Sequence, residues 1–309
     1  MTIDLRTGVI LLSLIGIVLM GSLTIYSVTS IDINYFLRFL AINIFAIILV
    51  TLFFYQINLN RILSFGWLFF LGNILLVLSV EVIGKEVNGA QRWIDFGFLS
   101  LQPTEFMKIA YPLFAIQYLR FHNFQFNAYR SYFLLGTLFL SSIPIIIQPD
   151  LGTGLVYILS GLMLLFICGL NKKYFMAMGA FAILFSPIIY NFGLTNYQKG
   201  RIASWFSSDQ TLSEKWNILQ SEISIGSGGI FGEGFLNSKQ NEFNFLPEAD
   251  TDFIFSIYAE QFGFIGVLFI FLLLSIFIVF TTLFSMSEKR LTNDLSPYYL
   301  GTYFTLVIG

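Results

Sequence analysis

Residues 253–283 read FIFSIYAEQFGFIGVLFIFLLLSIFIVFTTL, a run long enough to cross the hydrocarbon of a bilayer as one helix. Runs of the same kind recur upstream near 8–28, 35–55, 62–81, 105–119, 131–147, 153–170 and 174–191, and another begins near 297. In hydrocarbon every backbone N–H and C=O must be satisfied within its own element, so such runs are helices rather than strands. The expected fold is therefore all-α: a polytopic membrane bundle of eight spans and part of a ninth, forming a single membrane domain over 1–309. The sequence stops at Gly309 inside that ninth run, so further helices are expected beyond it.

Composition agrees with this reading. Of 309 residues, 56% are hydrophobic, 18% aromatic and only 11% charged, and the mean hydropathy is +0.78. Soluble domains carry about 25% charged residues, so a water-solvated globule is excluded. The net charge of −2, without a basic tract, gives nucleic acid no purchase. Cys168 and His122 are each the only residue of their type, which excludes an internal disulfide, a cysteine or histidine metal site and a Ser-His-Asp triad. Any chemistry falls to carboxylates, Lys, Arg and backbone. The first apolar run is too long for a cleavable signal peptide and is followed by more of its kind.

The short connections divide by the positive-inside rule. One side holds Arg6, Arg61, Arg120, Arg130, Lys172, Lys173, Lys289 and Arg290, the other only Lys85 and Arg92. The N-terminus is thus expected in the cytoplasm, with the loops 82–104 and 192–252 on the outer face. In the larger loop, Ile218, Leu219, Ile223 and Ile225 follow Trp205 and Trp216 at roughly helical spacing, as in an interfacial amphipathic helix. Next comes Gly226-Ser227-Gly228-Gly229-Ile230-Phe231-Gly232-Glu233-Gly234, which reads equally as a tight re-entrant turn or a flexible hinge.

The ionisable residues that could form a site sit near the outer ends of the spans. The large loop ends in Pro247-Glu248-Ala249-Asp250-Thr251-Asp252-Phe253-Ile254-Phe255, three acids within five residues just ahead of a hydrophobic helix. Asp250 and Thr251 read as helix caps. Asp252, at or just inside the first turn, lies where the membrane boundary lowers the dielectric, a setting that suits either proton abstraction or a purely structural acid. Asp150, in Gln148-Pro149-Asp150-Leu151-Gly152, reads as a cap for the sixth span. In Gln102-Pro103-Thr104-Glu105-Phe106-Met107-Lys108, Thr104 has an N-cap signature, and Glu105 and Lys108 are i,i+3 partners able to pair in the mouth of a membrane helix. Arg38, near the outer end of the second span, either snorkels or belongs to a site. Together Arg38, Arg92, Lys108, Lys199 and Arg201 form a cationic outer face beside Asp252, suited to a phosphate or pyrophosphate lipid headgroup. Phosphate-loop and dinucleotide fingerprints are absent, so ATP and NAD have no support.

These stretches, with Gly89-Ala90-Gln91-Arg92-Trp93, resemble the shape, elongation, division and sporulation (SEDS) family of polytopic peptidoglycan polymerases, the RodA and FtsW proteins. Gln220-Ser221-Glu222-Ile223-Ser224-Ile225-Gly226-Ser227-Gly228-Gly229 is more similar to the RodA branch. The resemblance implies ten spans and a glycosyltransferase that polymerises lipid II on the outer face of the cytoplasmic membrane, releasing undecaprenyl pyrophosphate. It implies Asp252 as the essential acid, Glu105 and Lys108 as a cavity ion pair, and Arg38, Arg92 and Arg201 as substrate-binding positions. It further implies a class B penicillin-binding protein as transpeptidase partner within the elongation machinery, and a divalent cation, Mg or Mn. Asp250 departs from the family's usual His, which alters the charge beside Asp252. A lipid II flippase, a division-type polymerase and a structural scaffold are the competing readings.

Overall fold

The computed structural model describes residues 5–29, 33–56, 59–87, 90–97, 100–148, 150–188, 190–191, 199, 212–238, 251–292 and 294–308. Helices occupy the apolar runs: α1 Leu5–Val28, α2 Ile33–Gln56, α3 Leu59–Ser64, α4 Gly66–Ile83, α5 Pro103–Phe121, α6 Ala128–Ile147, α7 Leu151–Ile167 and α8 Lys172–Ile188. They are followed by α9 Leu212–Ser227, α10 Ile254–Thr292 and α11 Ser296–Ile308. Among the described residues four helices are long and apolar enough to cross a membrane: Arg6–Val28, Gly66–Ile83, Ala128–Ile147 and Ile254–Ser287. Only 6% of the most apolar window of the last is buried inside the protein, and Leu268, Phe269, Phe271 and Leu272 stand exposed on it. Apolar side chains left open along a whole helix are stable only against lipid. The molecule is a multi-pass α-helical membrane protein.

The chain divides into two compact units. One comprises residues 57–198 and 285–308, and its core is organised by α5. Met107, Ala110, Tyr111, Ala115, Ile116 and Leu119 repeat at three- and four-residue intervals and are fully buried, a stripe that α4, α7 and α11 cover. Close approach depends on small residues. A Cβ on Gly66 would stand 2.7 Å from the Leu113 carbonyl oxygen, and one on Gly161 2.4 Å from a Leu138 methyl. Polar cross-links add direction: the Tyr111 hydroxyl donates to the Leu134 carbonyl at 3.0 Å, and the Tyr303 hydroxyl to the Lys108 carbonyl at 2.8 Å.

One expectation is corrected in this unit and another gains detail. The span expected at 62–81 is interrupted at Phe65, between α3, which ends at Ser64, and α4, which begins at Gly66, against which the Leu113 backbone packs. The stretch expected as loop at 82–104 holds a three-stranded antiparallel meander, β1 Lys85–Val87, β2 Ala90–Asp95 and β3 Ser100–Leu101. Its strands are too short to show the two-residue periodicity that marks longer ones. Lys85 Nζ donates to Asp95 Oδ2 at 2.8 Å, and the Gly97 N–H donates to Asp95 Oδ1 at 2.8 Å. The Lys85 hydrogen bond, then that of Gly97, holds the Asp95 carboxyl below the ordinary carboxylate range. A depressed carboxyl contributes stability above its unfolded value and loses it as pH falls through its folded value. Acidification from neutrality to below about pH 4 is therefore expected to raise the relative amide-exchange protection factor of Ile116 over Gly97, by loosening Gly97 alone.

The other unit comprises residues 1–56 and 199–284, together with Gly309. Within it α9 has an inverted surface. Gln220 and Ser224 are buried, whereas Trp216, Leu219 and Ile223 are exposed. The helix α10 is not continuous: Gly263 takes φ 62 and ψ −166, splitting the expected 253–283 span into a short and a long helical piece.

Candidate active site

In the α5 unit, three of the sequence motifs meet through hydrogen bonds. Arg92 on β2 donates from Nε to the Gln148 carbonyl at 3.2 Å, and Gln148 Nε2 donates to the Val77 carbonyl on α4 at 2.8 Å. One turn earlier on α4, Asn73 Nδ2 donates to the Pro103 carbonyl at 3.2 Å. Gln102 Nε2 reaches Asp150 Oδ2 at 3.2 Å, and Asp150 Oδ1 accepts the Thr153 N–H at 3.2 Å. Asp150 thus caps α7, as expected, and also ties that cap to the start of α5. Replacing it with Ala should cost about 1–2 kcal/mol through the lost cap, read as a lower denaturation midpoint in lipid bicelles.

Thr104 is not the cap of α5. Proline's fixed φ and missing N–H suit the first helical position, so Pro103 takes it and Gln102 stands at the cap. Thr104 is instead fully buried, and its Oγ1 has no hydrogen-bond partner. One turn further, Lys108 Nζ lies 2.6 Å from Glu105 Oε2, the expected i,i+3 pair, with Lys108 the less exposed of the two.

In the other unit, Arg38 lies in the second turn of α2 and is exposed. Asp252 is exposed in the turn Thr251–Phe253, just ahead of α10 rather than inside its first turn. Phe253 leads that turn into α10, its carbonyl accepting the Ser256 N–H at 2.9 Å. Asp250, Lys215's side chain and Arg201 lie outside the described residues.

The glycine run is a turn clasped to α10. The Glu233 N–H donates to the Glu260 carbonyl at 2.9 Å and the Gly234 N–H to the Gln261 carbonyl at 3.1 Å. In return the Phe264 N–H donates to the Gly229 carbonyl at 2.9 Å and the Ile265 N–H to the Ile230 carbonyl at 3.2 Å. Backbone groups released by the break at Gly263 are thereby satisfied. Contact this close leaves no room for side chains: a Cβ on Gly228 would meet the Ala259 carbonyl oxygen at 2.1 Å. Beneath the clasp, Glu260 and Gln261 are buried, and Gln261 Nε2 donates to Ser27 Oγ. Sequence reading passed over Glu260, although an ionisable residue inside an apolar run is itself a signal.

A many-helix membrane fold with ionisable motifs gathered at helix ends defines a class of polytopic membrane proteins, and comparison with known proteins narrows it. The FtsW/RodA/SpoVE model, described as "Cell cycle protein", matches residues 4–306. The chain belongs to this family, the SEDS proteins. It is 35% identical over 207 residues to "Peptidoglycan glycosyltransferase MrdB" of Escherichia coli K12, covering 67% of this chain and 55% of that protein. It is 31% identical over 306 residues to "Probable peptidoglycan glycosyltransferase FtsW" of Wigglesworthia glossinidia brevipalpis, covering 96% and 77%. The chain thus spans about half the length of MrdB. Among solved structures, the fold matches a chain from "Structural coordination of polymerization and crosslinking by a peptidoglycan synthase complex" with TM-score 0.75, 21% identity and 96% and 82% coverage. It matches the rod shape determining protein RodA of Thermus thermophilus with TM-score 0.65, 22% identity and 96% and 80% coverage.

Proposed function

We propose that this protein polymerises lipid II into glycan strands as a peptidoglycan glycosyltransferase of the RodA type, at the outer face of the cytoplasmic membrane. The N-terminus is then cytoplasmic, and Asp252 faces the extracytoplasmic side. The observation that carries the reading is the contrast between two acids of one unit: Glu260 is buried and hydrogen-bonded, whereas Asp252 stands exposed in the turn just ahead of α10, open to a substrate. The names of the relatives and the family's motifs support the same assignment.

In this mechanism the Asp252 carboxylate takes the proton of the acceptor sugar hydroxyl as that oxygen bonds to the anomeric carbon of the donor's muramyl unit. The bond from that carbon to the pyrophosphate oxygen breaks, and undecaprenyl pyrophosphate departs with the electron pair. Pyrophosphate is already a good leaving group, so the second carboxyl acid of a glycoside hydrolase is unnecessary. Arg38, Arg92, Glu105, Lys108 and Arg201 are the substrate-binding positions that the family's motifs imply, and the cations among them suit phosphate oxygens.

Among the described residues, no three or more Asp, Glu, His or Cys side chains gather as a protein-only metal cage. Mg or Mn is commonly held by one or two carboxylates plus substrate phosphates, and an exposed carboxylate such as Asp252 would fit that donor set. A bound divalent cation supplies positive charge to the departing phosphates. The partner is a class B penicillin-binding protein, which crosslinks the new strand.

Liposomes carrying the full-length protein test the assignment. Lipid II supplied only on the outer side should yield glycan polymer. Movement of labelled lipid II between leaflets without polymer would instead identify a flippase, and neither activity a scaffold.

A further inference from the structure

The clasp contains a buried polar cluster that the proposed chemistry does not use. Glu260 is 1% exposed, and its Oε2 accepts hydrogen bonds from Ser238 Oγ at 2.6 Å and Ser224 Oγ at 3.1 Å. Ser224 Oγ also lies 3.0 Å from the Ser256 carbonyl, so its single proton is shared between the two acceptors. Ser256 Oγ is 2.7 Å from Ser221 Oγ. The cluster therefore joins α9, Ser238 four residues past the glycine turn, and the first two turns of α10. Its upper end is Ser256, whose N–H bonds the Phe253 carbonyl in the turn that carries Asp252.

A buried carboxyl in a membrane protein is costly unless hydroxyl or cationic partners satisfy it, and such residues are usually retained for function. Hydrophobic packing could hold α9 on α10 without that cost, but it would leave the two helices freer to slide. Directional bonds from both sides to one buried oxygen set their relative height. We propose that Glu260 is a positioning residue for Asp252: through Ser224 and Ser256 it fixes the turn Thr251–Phe253 against α9, and so sets where the carboxylate meets the acceptor hydroxyl. This rests on the assignment of Asp252 as the base. A misplacement of about 1 Å in such a group costs on the order of 100-fold in rate, so a modest loosening of the turn is enough to matter.

The test uses the full-length protein in liposomes, with three variants: Glu260→Ala, Glu260→Gln and Ser224→Ala. Turnover and KM for lipid II are measured together with amide exchange of the peptide 251–257. Glu260→Ala is expected to lower kcat by about 10- to 100-fold with KM changed less than threefold, and to speed exchange of 251–257. Glu260→Gln, which keeps a carbonyl acceptor for the serine hydroxyls, should recover most of the turnover. Ser224→Ala should speed exchange of the same peptide without removing the carboxyl. Wild-type turnover in Glu260→Ala, or lost turnover with unchanged exchange in that peptide, would overturn the positioning role. If Glu260→Ala does not fold, Ser224→Ala decides: unchanged exchange and turnover overturn the proposal. A wild-type protein without polymerase activity would sink the functional assignment instead, leaving the exchange comparison to judge the brace by itself.

Discussion

Asp252→Asn is expected to abolish glycan synthesis from lipid II while leaving the protein folded. Asparagine has nearly the shape of aspartate but cannot accept a proton at this strength, and loss of a general base typically costs about 10²–10⁴ in rate. Because Asp252 is exposed in a turn, the substitution breaks no buried contact, and stability should shift by no more than about 0.5 kcal/mol. Polymer length and amount from lipid II, measured beside a thermal unfolding curve, separate lost chemistry from lost fold. Undiminished polymer from the variant would remove the base assignment.

The largest effect on stability is expected at Gly232. Its φ is +82, and a Cβ there would stand 2.1 Å from the Gln261 carbonyl oxygen, 2.5 Å from its carbonyl carbon and 2.8 Å from the Gly263 nitrogen. All three are backbone atoms, so no side chain can swing away. Gly232→Ala should cost about 2–5 kcal/mol, combining ~1–2 for a left-handed non-glycine residue with ~1–3 for overpacking. Gly229 supplies the comparison, because it also has positive φ, at +50, yet nothing lies within 4 Å of its ideal Cβ. Gly229→Ala should therefore lose only the conformational part, about 1–2 kcal/mol. Equal losses in the two variants, measured by denaturation in bicelles, would mean that contact with α10 contributes nothing.

How much of this could be read beforehand depended on the range of the interaction. The helical runs were legible because lipid forces long apolar segments to satisfy their own backbones. The Glu105–Lys108 pair and the Asp150 cap were legible because their partners lie three positions away. Thr104 misled because two signals for a helix start overlap in Pro103-Thr104, and proline's rigid ring prevailed. The glycine run left turn and hinge unresolved, since its partners are backbone groups of residues 260–265, and backbone hydrogen bonding has no side-chain signature. Glu260 lay inside a run already explained as a span, and the serines that satisfy it are 22 and 36 positions away.

The break at Gly263 has a temporal consequence for biosynthesis. The ribosome delivers the glycine turn first, yet the groups that complete its hydrogen bonding belong to residues up to Ile265. While the nascent chain ends short of that point, the glycine turn has nothing to dock on. Maturation of this corner of the fold is consequently a late step that waits for the eighth hydrophobic segment to emerge.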